Sequence, residues 1–139
     1  MTVRRLTGAG LLALALAAAA PPAGAVTVAD YQKWRHATRT VRATPTGLVE
    51  VRLGGILSGL LLANGRLSRA GGPTLFCMPA DAPADGMPGT ELRKLVDAEL
   101  KSPSRPSGEP WPADTGIGAV VLHILQRDWR CPAGRRVVR

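Results

Sequence analysis

The sequence predicts an all-α fold, a small bundle of about four helices. Four apolar-periodic stretches are separated by proline- and glycine-rich breaks, and no sustained alternation of apolar and polar residues appears between them. Two cysteines, Cys77 after the second stretch and Cys131 after the last, predict one disulfide closing the bundle, because the chain opens like an exported protein and an even cysteine count outside the cytoplasm favours pairing.

The export signal comes first. Arg4 and Arg5 precede an apolar run from Leu11 to Ala20, and Pro21-Pro22-Ala23-Gly24-Ala25 then supplies small residues for a signal peptidase. A membrane anchor needs roughly 20 apolar residues to cross the bilayer, and this run is shorter. Residues 1–25 therefore read as a signal peptide cut after Ala25, residues 26–132 as one helical domain, and residues 133–139 as a frayed basic tail holding Arg135, Arg136 and Arg139. The expected location is the periplasm. A disulfide between Cys77 and Cys131 would close a loop of roughly 50 residues, for which chain-entropy accounting gives roughly 4 kcal/mol.

Within the domain, Thr27 ahead of Asp30 suits a helix start, and the first helix runs to about Arg39 with Tyr31 and Trp34 on one face. Pro45 and Thr46 mark a break. From Leu48 to about Arg69, Val49, Leu53, Ile56, Leu60, Ala63 and Leu67 step by four and three, the stripe of a central helix with one buried face. Gly54, Gly55 and Gly59 interrupt it, each costing up to about 1 kcal/mol of helix propensity. Gly55, Gly59 and Ala63 form a small-residue line, read as tight helix packing within the chain or between two copies.

Gly71-Gly72-Pro73 ends the central helix, and Thr74 to Pro79 follows as an extended segment. A third helix opens at Thr90-Glu91-Leu92, buries Leu92, Leu95, Val96 and Leu100, and stops before Pro103. The proline-rich loop from Ser102 to Pro112 holds Trp111, expected to fold its ring back onto the body. Asp114-Thr115 can cap a fourth helix carrying Ile117, Val120, Val121, Ile124, Leu125 and Trp129, which Cys131-Pro132 closes.

The formal charge is +8, but part of it lies on the signal and the tail. Arg35, Arg39 and Arg42 recur as a solvated helix face would place them, so no nucleic-acid partner is expected, and no membrane partner once the signal is removed. Two cysteines and the scattered His36 and His123 offer no metal site, and no cofactor motif is present. Ser58 and Ser68 lack a nucleophile-elbow context, His123 has no nucleophile beside it in sequence, and Asp97 and Glu99, two positions apart on a helix, point to different faces. No catalytic residue is assigned and no enzyme is expected.

The run from Leu53 through Gly54-Gly55-Ile56-Leu57-Ser58-Gly59 to Leu60, then Phe76-Cys77-Met78-Pro79, then Glu91-Leu92 to Leu100, and finally Val120 to Trp129-Arg130-Cys131-Pro132, resembles the Rap/Tai family of type VI secretion immunity proteins. Those are small exported helical proteins. The resemblance implies a periplasmic homodimer that binds a peptidoglycan-cleaving amidase effector and blocks its active site, with Cys77 and Cys131 on the family's disulfide. Many members carry a further cysteine where this chain has Leu53, so no second bridge can form. Trp111, Arg105 and Arg130 are candidate partner contacts, since tryptophan and arginine are enriched among interface hot spots. A periplasmic structural or adaptor module is the competing expectation, and a small hydrolase using His123 is a third.

Overall fold

The structure is a computed structural model that describes residues 25–40, 47–83 and 86–132. Residues 1–24, which hold nearly all of the expected signal peptide, the break at Pro45-Thr46, Arg42 and the basic tail lie outside the described residues. The rest forms the expected all-α bundle: α1 (Val28–Thr40), α2 (Gly47–Arg69), α3 (Gly89–Lys101) and α4 (Ile117–Asp128). Thirteen buried apolar side chains make one core, drawn from every helix and from Phe76 between α2 and α3.

The start of α1 is a reciprocal cap. Asp30 N donates to Thr27 Oγ1 at 3.2 Å, while Thr27 N and Oγ1 donate back to the Asp30 carboxylate at 3.2 and 2.7 Å. Those bonds hold the Asp30 carboxyl below its ordinary pKa, the Thr27 side chain contributing most. The next free amides of α1 are satisfied from far along the chain, Val28 N by Thr115 O at 2.8 Å and Ala29 N by Ala113 O at 3.0 Å. Val26 O returns the favour by accepting from Ile117 N at 2.8 Å. The N-terminal ends of α1 and α4 are thus satisfied largely through each other. This corrects the expectation of a cap from Asp114-Thr115: Gly116 is the N-cap of α4, and no side chain bonds there. Likewise α3 starts one residue earlier than expected, behind Pro88, whose carbonyl accepts from Glu91 N and Leu92 N.

Along α2 the residues Val49, Leu53 and Leu57 take the core, with Ile56, Leu60 and Leu61 packed at its edge. The helix ends as expected, with Gly71 at φ +69° and Gly72 N bonded to Leu67 O at 2.9 Å. Ala63, expected in the stripe, is exposed. The packing expected of Gly55 and Gly59 is not made within the described chain: both are exposed, and a Cβ at either would meet nothing within 4 Å. The phase of the helix explains it, because a face that buries positions 49, 53 and 57 turns positions 55 and 59 outward. Close approach occurs instead at Gly89, where a Cβ would sit 2.7 Å from the Glu50 carbonyl oxygen, and so lets α3 start against the first turn of α2.

The extended segment after α2 is held by side-chain amides. Asn64 Oδ1 accepts from Leu75 N at 2.7 Å, Asn64 Nδ2 donates to Phe76 O at 3.0 Å, and Gln126 Nε2 donates to Leu75 O at 3.2 Å. Phe76 is thereby seated in the core with its ring 5.7 Å from Trp129. Cys77 and Cys131 are bonded across 54 residues, and Cys77 N donates to Trp129 O at 2.8 Å beside the bridge.

Replacing Gly59 by Ala is expected to raise the stability by up to about 1 kcal/mol through helix propensity alone. Gly89→Ala is expected to lower it by about 1–3 kcal/mol, because backbone must move to admit the methyl. Denaturant midpoints of the two variants check the opposite signs. A Cys77→Ser/Cys131→Ser double variant is expected to lose about 4 kcal/mol in the same measurement.

Candidate functional site

A charged side chain deep in a small core must be fully paired, and Glu99 is the one buried polar residue among those described, 2 % exposed. It sits near the end of α3, on the core side. Ser104 N reaches Oε1 at 2.9 Å, Ser104 Oγ reaches Oε2 at 2.7 Å, Trp111 Nε1 reaches Oε1 at 3.2 Å and Arg127 Nη1 reaches Oε2 at 2.9 Å. His123 Nε2 lies 3.7 Å from Oε1. Burial alone would raise the Glu99 pKa, but the hydrogen bonds from Ser104, then from Trp111, outweigh it and the carboxyl titrates below its ordinary range.

This carboxylate shapes the loop that joins α3 to α4. Ser104 and Trp111, both bonded to Glu99, fix the loop at two points, and the residues between them are presented outward. Arg105 folds over the outer face of Trp111, its guanidinium carbon 4.7 Å from the ring centroid, and donates to Pro110 O at 3.3 Å. Trp111 meets His123 edge to face at 5.5 Å. Beside them an open cleft of about 230 Å³ is lined by Ser104, Pro106, His123, Gln126, Arg127 and Arg130. Arg130 is exposed at that cleft, whereas Arg127 is committed to Glu99 and to Asp128, 2.6 Å from Nε.

The three candidate contact residues from the sequence thus fall in one region. Trp111 and Arg105 stack on each other, and Arg130 lines the adjoining cleft. Trp111 is half-buried, so it both seals the core and offers an edge. Ser104, Glu99 and Arg127 were not expected here. The sequence reading sets Glu99 on a different face from Asp97 without placing it in the core, and the signal that would have found it is its position three and seven residues after Val96 and Leu92, on the apolar face.

Ser104 Oγ stands 3.0 Å from His123 Nε2, a pair whose partners lie 19 residues apart. With Glu99 it has the residue types of a hydrolytic triad but not the order. A relay needs the serine on one ring nitrogen and the carboxylate on the other, yet both approach Nε2 here, and the Ser104 hydroxyl is 2.7 Å from the carboxylate itself. The arrangement fits anchoring of the loop. Ser58 and Ser68 lie exposed on α2, a helix that carries no histidine.

A second polar cluster lies across α1 and α3. The Asp97 carboxylate accepts from Tyr31 Oη at 2.7 Å and from Arg35 at 3.1 and 2.7 Å, and Arg93 bridges from Glu50 at 2.7 Å to Asp97 at 3.7 Å. Arg35 is therefore an ion-pair partner and not part of a solvated face, because α3 brings a carboxylate against that side of α1. Burial, then the bond to Asp97, pushes the Tyr31 phenol well above its ordinary pKa. An open cleft of about 320 Å³ lies outside this cluster, bordered by His36 and Lys101. Asp97 and Glu99 do serve different faces, as their spacing implies. Among the described residues no group of three or more His, Cys, Asp or Glu side chains is placed to hold a metal.

A folded-state pKa held below the unfolded value makes Glu99 stabilising above about pH 4.3, with that contribution lost as the pH falls through the lower folded value. Glu99→Gln is expected to cost about 1.5–3 kcal/mol at neutral pH, the range for hydrogen bonds to a charged group, and to flatten the acid limb of the stability profile, both read from urea unfolding between pH 3 and 7 followed by tryptophan fluorescence. Compared with known proteins, the chain matches no family model, no curated protein and no solved structure, so the geometry of this loop and the resemblance carry the functional reading.

Proposed function

We propose that the chain is an exported immunity protein, a non-catalytic inhibitor that covers the active site of a peptidoglycan-cleaving amidase delivered by a type VI secretion system. The observation that carries this reading is the loop between α3 and α4. A proline-rich segment pinned through Ser104 and Trp111 to one buried carboxylate holds a stacked Arg105–Trp111 pair at the surface, with Arg130 close by. Occlusion of an enzyme cleft asks for a pre-ordered projection and no reacting group of its own. A loop anchored at both shoulders meets that demand at little further entropic cost.

The compartment and the partner class come from the resemblance to Rap/Tai proteins in the glycine-bearing central helix, the Phe76-Cys77-Met78-Pro79 turn and the closing Cys131-Pro132. The disulfide is compatible with an oxidising compartment. The homodimer that the resemblance also implies is part of the proposal, with no surface assigned to it.

The test mixes the processed protein with purified type VI amidase effectors and follows release of stem peptides from purified peptidoglycan. Stoichiometric inhibition is expected. Arg105→Glu should weaken it at least about tenfold, a hot-spot-sized loss, with stability falling by only about 0.5–1 kcal/mol from the lost stacking on Trp111. Full hydrolysis at a large excess of inhibitor, with no protection of cells that express the amidase in the periplasm, would overturn the reading.

A further inference from the structure

Helix α2 is apolar beyond what the core needs. It is long and apolar enough, by length and composition, to cross a bilayer, yet only Val49, Leu53 and Leu57 of it are buried. The surplus is concentrated on the outer side. Leu48, Val51 and Leu62 are 47 %, 71 % and 55 % exposed, which makes them three of the four large apolar side chains left in water among the described residues.

The charge on that side has one sign. Arg52, Arg66 and Arg69 are exposed, and the only acid on the helix, Glu50, is turned inward to Arg93. At 3.6 residues per turn the three aliphatic and three arginine positions fall within a sector of roughly 100°. A Cβ built at Gly55 or Gly59, between them, meets nothing within 4 Å, so the middle of the strip is open, while at its edge the Arg52 guanidinium lies over the Trp34 ring of α1, 4.0 Å from the centroid.

The occupant must take aliphatic side chains and arginines at once. A second copy supplies no counter-charge. Parallel pairing sets Arg66 and Arg69 against themselves, and antiparallel pairing sets them against the first turn of α2, where the helix dipole is positive. An anionic phospholipid surface answers both demands, with phosphates for the guanidinium groups and the upper acyl region for Leu48, Val51 and Leu62. Spanning is excluded by the other face, since Val49, Leu53 and Leu57 belong to the core.

We propose that the outer face of α2 docks the protein, peripherally and reversibly, on a membrane surface rich in anionic phospholipid. This departs from the expectation of no membrane partner once the signal is removed. It does not rest on the amidase-inhibitor reading and uses a different surface.

The experiment uses the protein as its host exports and processes it, sedimented with vesicles of phosphatidylglycerol and phosphatidylcholine or of phosphatidylcholine alone. The bound fraction is expected to be at least about fivefold higher on the anionic vesicles and to fall steeply as salt is raised toward ~0.3 M. Arg66→Gln/Arg69→Gln should remove most of it, Val51→Ser/Leu62→Ser should reduce it, and Lys94→Gln/Lys101→Gln on α3 should leave it unchanged. Equal binding to both vesicle types, or full binding by Arg66→Gln/Arg69→Gln, overturns the proposal. So does a soluble dimer in which a Val51→Cys thiol is shielded from a polar alkylating reagent. Unfolding midpoints confirm that the variants fold, and amidase inhibition is expected to be untouched by all of them, so the two readings fail separately.

Discussion

A domain with a core of thirteen apolar side chains cannot hold four helices together by burial alone with much to spare, and the covalent link between Cys77 and Cys131 is the constraint on which the arrangement turns. The bridge joins the segment after α2 to the residue just beyond α4. Around it the backbone is already committed: Cys77 N to Trp129 O, Asn64 to the amides of Leu75 and Phe76, Gln126 to the Leu75 carbonyl. The sulfurs therefore close a junction that hydrogen bonds have positioned, which is why Phe76 can enter the core from a segment with no regular structure of its own.

The C-terminal ends of α3 and α4 are tied to each other by a different device. Placing a carboxylate where water cannot reach is unfavourable unless its lone pairs are filled, and at Glu99 the donors come from three places in the chain: the residue Ser104 just past α3, the loop residue Trp111 and Arg127 of α4. A buried charge is weak evidence of added stability. It is good evidence of geometric definition, because the loop has few other conformations that satisfy the same acceptor.

Much of the fold was legible from the sequence because helix periodicity, the Thr27–Asp30 cap and the Gly-Gly-Pro stop are local signals, and the local physics decided those elements. What could not be read was set by distant partners. Gly116 heads α4 without a side-chain cap because Val26 O, some ninety residues upstream, accepts the first amide. Arg35 looked solvated because the carboxylate that binds it is on α3. The glycine line suggested close packing, yet the phase fixed by Val49, Leu53 and Leu57 turned it to the outside. At the candidate site, Trp111, Arg105 and Arg130 were picked out by residue type, but Glu99, which brings the loop into shape, was hidden by being a charged residue on an apolar face.

The mutual capping of α1 and α4 has a bearing on the order of events as the chain is made. Val28 and Ala29 give their amides to residues 115 and 113, and residue 26 takes one from residue 117. The first helix is therefore fully capped only after residues 113–117 have been made, and Cys77 finds its partner only after Cys131 has been. The first and last helices are long-range partners, so their capping is gained and lost together.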